Sequence, residues 1–206
     1  MPRPRIHDLD QVLDAAESLA VQSGPAAVTI RAVAAATGAS NGAIYHSFGS
    51  RGELLGRAWH RAASRFMTLQ ADLVDRAEPG VEAVIAAADA PAAFADQFPA
   101  SAQLMFVVSK QDLVGDIPDH LAGEIAVLEK ALIDLMIRLA KQLWHRGDRR
   151  AVDVITACIV DLPTALLLQR DRLHDRRARQ RLQAAVRAVL AIEPDEVRNA
   201  KDHERV

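Results

Sequence analysis

The chain of 206 residues has a single cysteine, Cys158, one tyrosine, two tryptophans and five phenylalanines. A lone cysteine rules out an intramolecular disulfide framework and fits a reducing cytoplasm. Scarce aromatics, at 4% of residues, together with abundant alanine favour closely packed helices over sheets. There is no Gly-rich phosphate loop, no strand–helix alternation and no paired catalytic signature, so the pattern points to a binding module and not to an enzyme. His46 has no companions at ligand spacing, and neither a metal nor a cofactor is expected. The polar, Pro/Arg-rich start does not read as a signal peptide. The most apolar run, Ala151 to Leu168, is interrupted by Asp153, Asp161 and Pro163, so no membrane span is expected. Charge of one sign is also lacking, because the net is −2.

Half the residues are apolar, enough for a real core in one large domain or two small ones. The charge is unevenly placed. Residues 1–65 hold seven arginines against five carboxylates, a net of +2, which leaves −4 for the remainder. A weakly basic head on an acidic body suits DNA contact at one end.

The most informative stretch is Thr29 to Phe48. Thr29 can N-cap a short helix whose face is Ile30, Val33, Ala34 and Thr37. Gly38 can end it in a left-handed conformation. Ser40 caps a second helix, which would pack through Ala43, Ile44 and Phe48. Two short helices around a glycine turn are the sequence form of a helix-turn-helix, whose second helix enters the major groove.

The stretch Ala15 to Leu55 resembles the DNA-binding domain of TetR-family transcriptional regulators. The matches are Ala16, Leu19, Gly24, Thr29, Val33, Ala34, Gly38, Ser40, Gly42, Tyr45, Phe48 and Leu54, with Arg51 where the family usually has Lys. Ala20, Thr37, Ala39 and Gly52 depart from the usual residues. The resemblance implies an all-α protein. A three-helix DNA-binding domain over 1–50 would precede a larger helical domain over 51–195 for effector binding and dimerisation, with a charged tail over 196–206.

Candidate DNA contacts are Arg3 and Arg5 on the basic arm, Thr29 and Arg31 at the first helix, and Ser40, Asn41, Gly42, Ala43, Tyr45 and His46 on the second. Asn41 suits a base edge or a phosphate, Gly42 and Ala43 a thymine methyl or the sugar-phosphate backbone. Tyr45 resembles the family's phosphate-contacting tyrosine. Ser50 and Glu53 form a capping box that would aim Arg51 and a helix N-terminus at a phosphate.

The rest reads as helices over about 51–77, 81–90 (ended by Pro91), 91–97, 99–112, 118–145, 148–173 and 178–192. Phe66, Met67, Phe94, Phe98, Met105, Phe106, Leu128, Leu132, Met136 and Trp144 are candidates to line a pocket for an apolar or weakly polar small effector. Ile155, Ile159, Leu162, Leu166 and Gln169, with Leu182, Val186, Val189 and Leu190, are candidates for a four-helix homodimer interface. The arginines between 170 and 187 read as a solvated face partnered by Asp171 and Asp175. The expectation is a cytoplasmic, dimeric, ligand-responsive repressor of a double-stranded, near-palindromic operator. An effector-independent activator or architectural DNA binder, and a helical enzyme with an incidental helix-turn-helix, are the alternatives.

Overall fold

A computed structural model describes residues 6–107 and 118–194, and every regular element in them is helical. The basic arm with Arg3 and Arg5, the turn before Pro118 and the charged tail lie outside the described residues. Helix α1 (Ile6–Ser23) ends at Gly24, whose φ of 81° is left-handed, and a 3-10 turn (Pro25–Ala27) follows. Next come α2 (Ile30–Thr37), α3 (Asn41–Phe48) and the long α4 (Arg51–Arg76). The body adds α5 (Val81–Gln97), α6 (Pro99–Val107), α7 (Asp119–Trp144), α8 (Arg149–Leu168) and α9 (Arg176–Leu190).

The head packs Val12, Ala16 and Ala20 of α1 against Val33 and Ala34 of α2, Ile44 and Phe48 of α3, and Leu54, Leu55 and Ala58 of α4. Packing therefore continues past residue 50, and one residue of α6, Leu104, joins this core. Ala43, expected to pack, is exposed, because it lies about 100° around the helix from Ile44.

In the body, α4 and α7 lie side by side in the same direction. His120 meets Glu53 at 3.4 Å near their starts, and Arg138 meets Asp75 at 2.7 Å near the end of α4. Helix α5 carries Glu82, Asp89 and Asp96 at seven-residue spacing. They face Arg187 and Arg179 of α9, and His174 just before it. Arg179 and Arg187 are thus partnered by α5 and not by Asp171 or Asp175. Asp175 instead caps α9 through the amides of Arg177 and Ala178.

Pro91 does not interrupt α5, which runs through it. A proline has no N–H, so the carbonyl four residues earlier, that of Ala87, loses its helical partner. Gln70, 1% exposed on α4, fills the gap: its Nε2 donates to the Ala87 oxygen at 3.0 Å. The same carboxamide's Oε1 has no partner among the described residues. Pro163 is accommodated differently. Helix α8 is α-helical over Arg149–Thr156 and then opens into π-helical turns over Ala157–Asp161 and Thr164–Leu168, on either side of the proline.

Two outcomes follow. Gln70→Leu should cost about 1–3 kcal/mol in urea unfolding by orphaning the Ala87 carbonyl. In a Pro91→Ala background, where residue 91 regains an N–H, the same substitution should cost close to nothing. Equal costs in both backgrounds would contradict the pairing. The second concerns Asp148, which caps α8 through the amides of Arg150 and Ala151. Chiefly through Arg146, its pKa falls from 3.8 to about 2. A pKa lowered by folding stabilises the protein fully above pH 4 and is lost as pH falls toward 2. Asp148→Asn should flatten the fall in melting temperature between pH 4 and 2.

Candidate nucleic-acid interface

Three helix starts in the head are capped by hydroxyls. Thr29 Oγ1 accepts from the Ala32 amide at 3.1 Å, Ser40 Oγ from Ala43 at 3.1 Å and Ser50 Oγ from Glu53 at 3.0 Å. Each cap satisfies a donor that has no partner inside its helix. Gly38, with φ 71° and ψ 6°, makes the left-handed turn between α2 and α3 that no residue with a side chain adopts as cheaply. The capping box at Ser50 is half formed. Glu53 pairs with Arg57 at 3.0 Å instead of reaching back, and the Ser50 amide donates to Phe48 O at 2.6 Å.

Helix α3 buries Ile44 and Phe48 and turns its other faces outward. Ser40, Asn41, Gly42, Ala43, Tyr45 and His46 are all exposed, as are Thr29 and Arg31 at the start of α2. Tyr45 is 63% exposed, an unusual position for the chain's one tyrosine unless something outside the chain meets it. Gly42 is informative for the same reason. A Cβ built there would meet nothing within 4 Å, and its φ is ordinary, so the fold does not require glycine. Glycine also has a lower helix propensity than alanine. What the missing side chain permits is close approach by a second molecule.

Residues 12–58 match the family model described as bacterial regulatory proteins, tetR family. The head is a TetR-family domain. The fold of the whole described chain agrees. A TetR-like transcriptional regulator from Rhodococcus sp. RHA1 is 20% identical, with a TM-score of 0.68 over 94% of this chain and 100% of its own. The TetR family regulator PfmR from Thermus thermophilus is 18% identical, with a TM-score of 0.68 over 90% and 97%. The transcriptional regulator FadR from Bacillus subtilis, solved in complex with stearoyl-CoA, is 16% identical, with a TM-score of 0.62 over 88% and 95%. No curated protein matches the chain. The described chain therefore has the same overall fold as these structures, with the family match confined to residues 12–58.

Several sequence expectations take a different form in this TetR-type fold. Arg51, expected on a phosphate, points inward: its Nε donates to Val28 O and its Nη2 to Pro25 O, both at 2.7 Å. It clamps the turn between α1 and α2 onto the start of α4. Arg57, Arg61 and Arg65, counted toward the basic head, all meet carboxylates. Sequence reasoning missed Glu17, which is 3% exposed on α1 and paired with Arg61 at 2.7 Å. Its spacing was a signal: it falls four residues after Leu13 and three before Ala20, on the apolar side.

The candidate pocket residues divide. Phe66, Phe94, Phe98 and Phe106 form one aromatic cluster with Met67 and Met105, the Phe66–Phe94 centroids being 5.5 Å apart. Leu132, Met136 and Trp144 belong to the neighbouring core, and Leu128 is half-buried on α7. An open cavity of about 500 Å³ lies between α4 and α7, lined by residues including Met67, which it shares with the cluster, Ala71, Ala131, Leu135 and Arg138. The candidate dimer residues divide as well, and here the expectation needs correcting. Ile155, Ile159, Leu182, Val186 and Leu190 are buried in the protomer's own core and unavailable to a partner. Leu162, Leu166 and Val189 are half-buried and Gln169 is exposed. Cys158 is 0% exposed, and burial pushes its thiol up to about 11, so it is inert.

Gly42→Ala tests the outward face of α3. It should leave the melting temperature unchanged or slightly raised, yet weaken DNA binding about tenfold or more in a gel-shift titration. Undiminished binding would remove Gly42 from the contact face.

Proposed function

We propose that the protein is a dimeric transcriptional repressor that releases its operator when a small effector binds the body. The observation that carries the DNA half is the outward face of α3, with an exposed tyrosine and a glycine the fold does not need. Helix α3 enters the major groove. Asn41 reads a base edge, while Ser40, Ala43 and His46 lie against the duplex. Tyr45, Thr29 and Arg31 hold phosphates.

The dimer rests on α8. Its length and composition would suffice to cross a membrane, yet only 33% of its most apolar window is buried within the chain. A second copy covering Leu162 and Leu166 of α8, with the exposed Ala184 and Ala188 of α9, gives this surface a protein partner. Two-fold symmetry then places two α3 helices on half-sites about one helical turn, ~34 Å, or somewhat more apart, and favours a near-palindrome. The effector is apolar or carries a long apolar part. The aromatic–methionine cluster supports this, as does the stearoyl-CoA held by the Bacillus subtilis regulator of the same fold. The protein acts in the cytoplasm, where its DNA lies.

Selection of bound duplexes from a random pool tests the proposal. An inverted repeat is expected, and enrichment of no sequence would reject it. Within the selected site, Asn41→Ala should relax base preference at one position per half-site, while Tyr45→Phe should weaken all sequences alike. Ala188→Arg, at an exposed position, should leave the fold intact and shift the sedimenting species from dimer to monomer.

A further inference from the structure

The largest buried charge cluster of the head is not on its DNA face. Glu17 of α1 is 3% exposed, and both its carboxylate oxygens are engaged. Oε1 accepts from Arg61 Nε at 3.1 Å and Nη2 at 2.7 Å, with Arg65 Nη1 at 3.7 Å. Oε2 accepts from Ser101 Oγ of α6 at 2.8 Å, and Ser101 in turn accepts from Arg65 at 3.2 Å. Three helices, α1, α4 and α6, thus meet on one carboxylate.

Helix α6 is held on two sides. Leu104, 1% exposed, sits in the head core, while Ala102, Met105 and Phe106 sit in the aromatic cluster. Arg65 closes the loop, its guanidinium carbon 5.8 Å from the ring centroid of Phe98, which packs on Phe94. A buried carboxylate is tolerated only while its partners are in place. Whatever moves α6 away from α1 strands Glu17 Oε2 without a donor, so the positions of α6 and of the head are energetically tied.

We propose that Glu17 and Ser101 are positioning residues that couple the head to α6, so that DNA held by α3 is felt at α6 and an occupant of the aromatic cluster is felt by the head. This rests on the reading that the head binds DNA. Coupling between two sites is reciprocal, so it can be read from the DNA side without knowing the effector.

The test is amide hydrogen exchange of the full-length protein, with and without a duplex recovered by it from a random pool. In the parent protein the duplex should slow exchange in α2 and α3 and, about fivefold, in α6. In Ser101→Ala, which removes one hydroxyl from a helix rich in alanine, the slowing should persist in α2 and α3 and vanish in α6. Glu17→Gln should behave the same way if it folds. Slowing at α6 that survives Ser101→Ala, or its absence from the parent while α2 and α3 respond, overturns the coupling. Loss of slowing at α2 and α3 in Ser101→Ala would make Ser101 merely structural and also overturn it. No slowing at α2 and α3 in the parent would reject the DNA reading itself.

Discussion

One unbroken helix constrains everything else in this molecule. α4 runs from Arg51 to Arg76, about 39 Å, without a proline or a π turn. Its first turns bury Leu54, Leu55 and Ala58 in the head, its middle carries Phe66 into the aromatic cluster, and its end places Val74 in the core under α5. A regular helix of this length is stiff, so the head cannot tilt without pulling on both inner cores. The three clusters are mechanically one assembly even though their side chains form separate groups.

Local chemistry was readable from the sequence, and long-range chemistry was not. The hydroxyl caps at Thr29, Ser40 and Ser50 and the left-handed Gly38 depend on neighbours within three or four residues, and each formed as expected, whereas the Glu53 half of the capping box was drawn off to Arg57. Pro91 and Arg51 took other courses because their partners are far along the chain. Gln70 is 21 residues before the proline it compensates, and the carbonyls that hold Arg51 are 23 and 26 residues before it. A single sequence shows that a proline removes a hydrogen bond; it does not show that a glutamine elsewhere replaces it.

Faces of helices pose the converse difficulty. Phe66, Phe94, Phe98 and Phe106, expected from the sequence as pocket-lining residues, pack together in one cluster because their segments are adjacent in the fold. The apolar residues of α8 and α9 look alike in the sequence whether they face the protomer's core or its exterior. Periodicity counts apolar positions without saying what covers them. The π turns add a second obstacle, since they shift the residues after Thr156 off the spacing that a regular helix would give.

The way the arginines are engaged has a consequence for behaviour among many DNA sites. Proteins gain general affinity for a duplex by displacing its condensed counterions, one for each phosphate met by a cation. Here Arg57, Arg61 and Arg65 already face carboxylates and Arg51 holds two carbonyls. In the described head, Arg31 is the arginine left standing in solvent. Under the proposed function the described part of the head would displace few counterions, so its own contribution to binding arbitrary sequence would be low. Under that same function little of the protein would then be held on the rest of the chromosome, and its occupancy of a target would rest on base contacts and on the pairing of two copies instead of bulk charge.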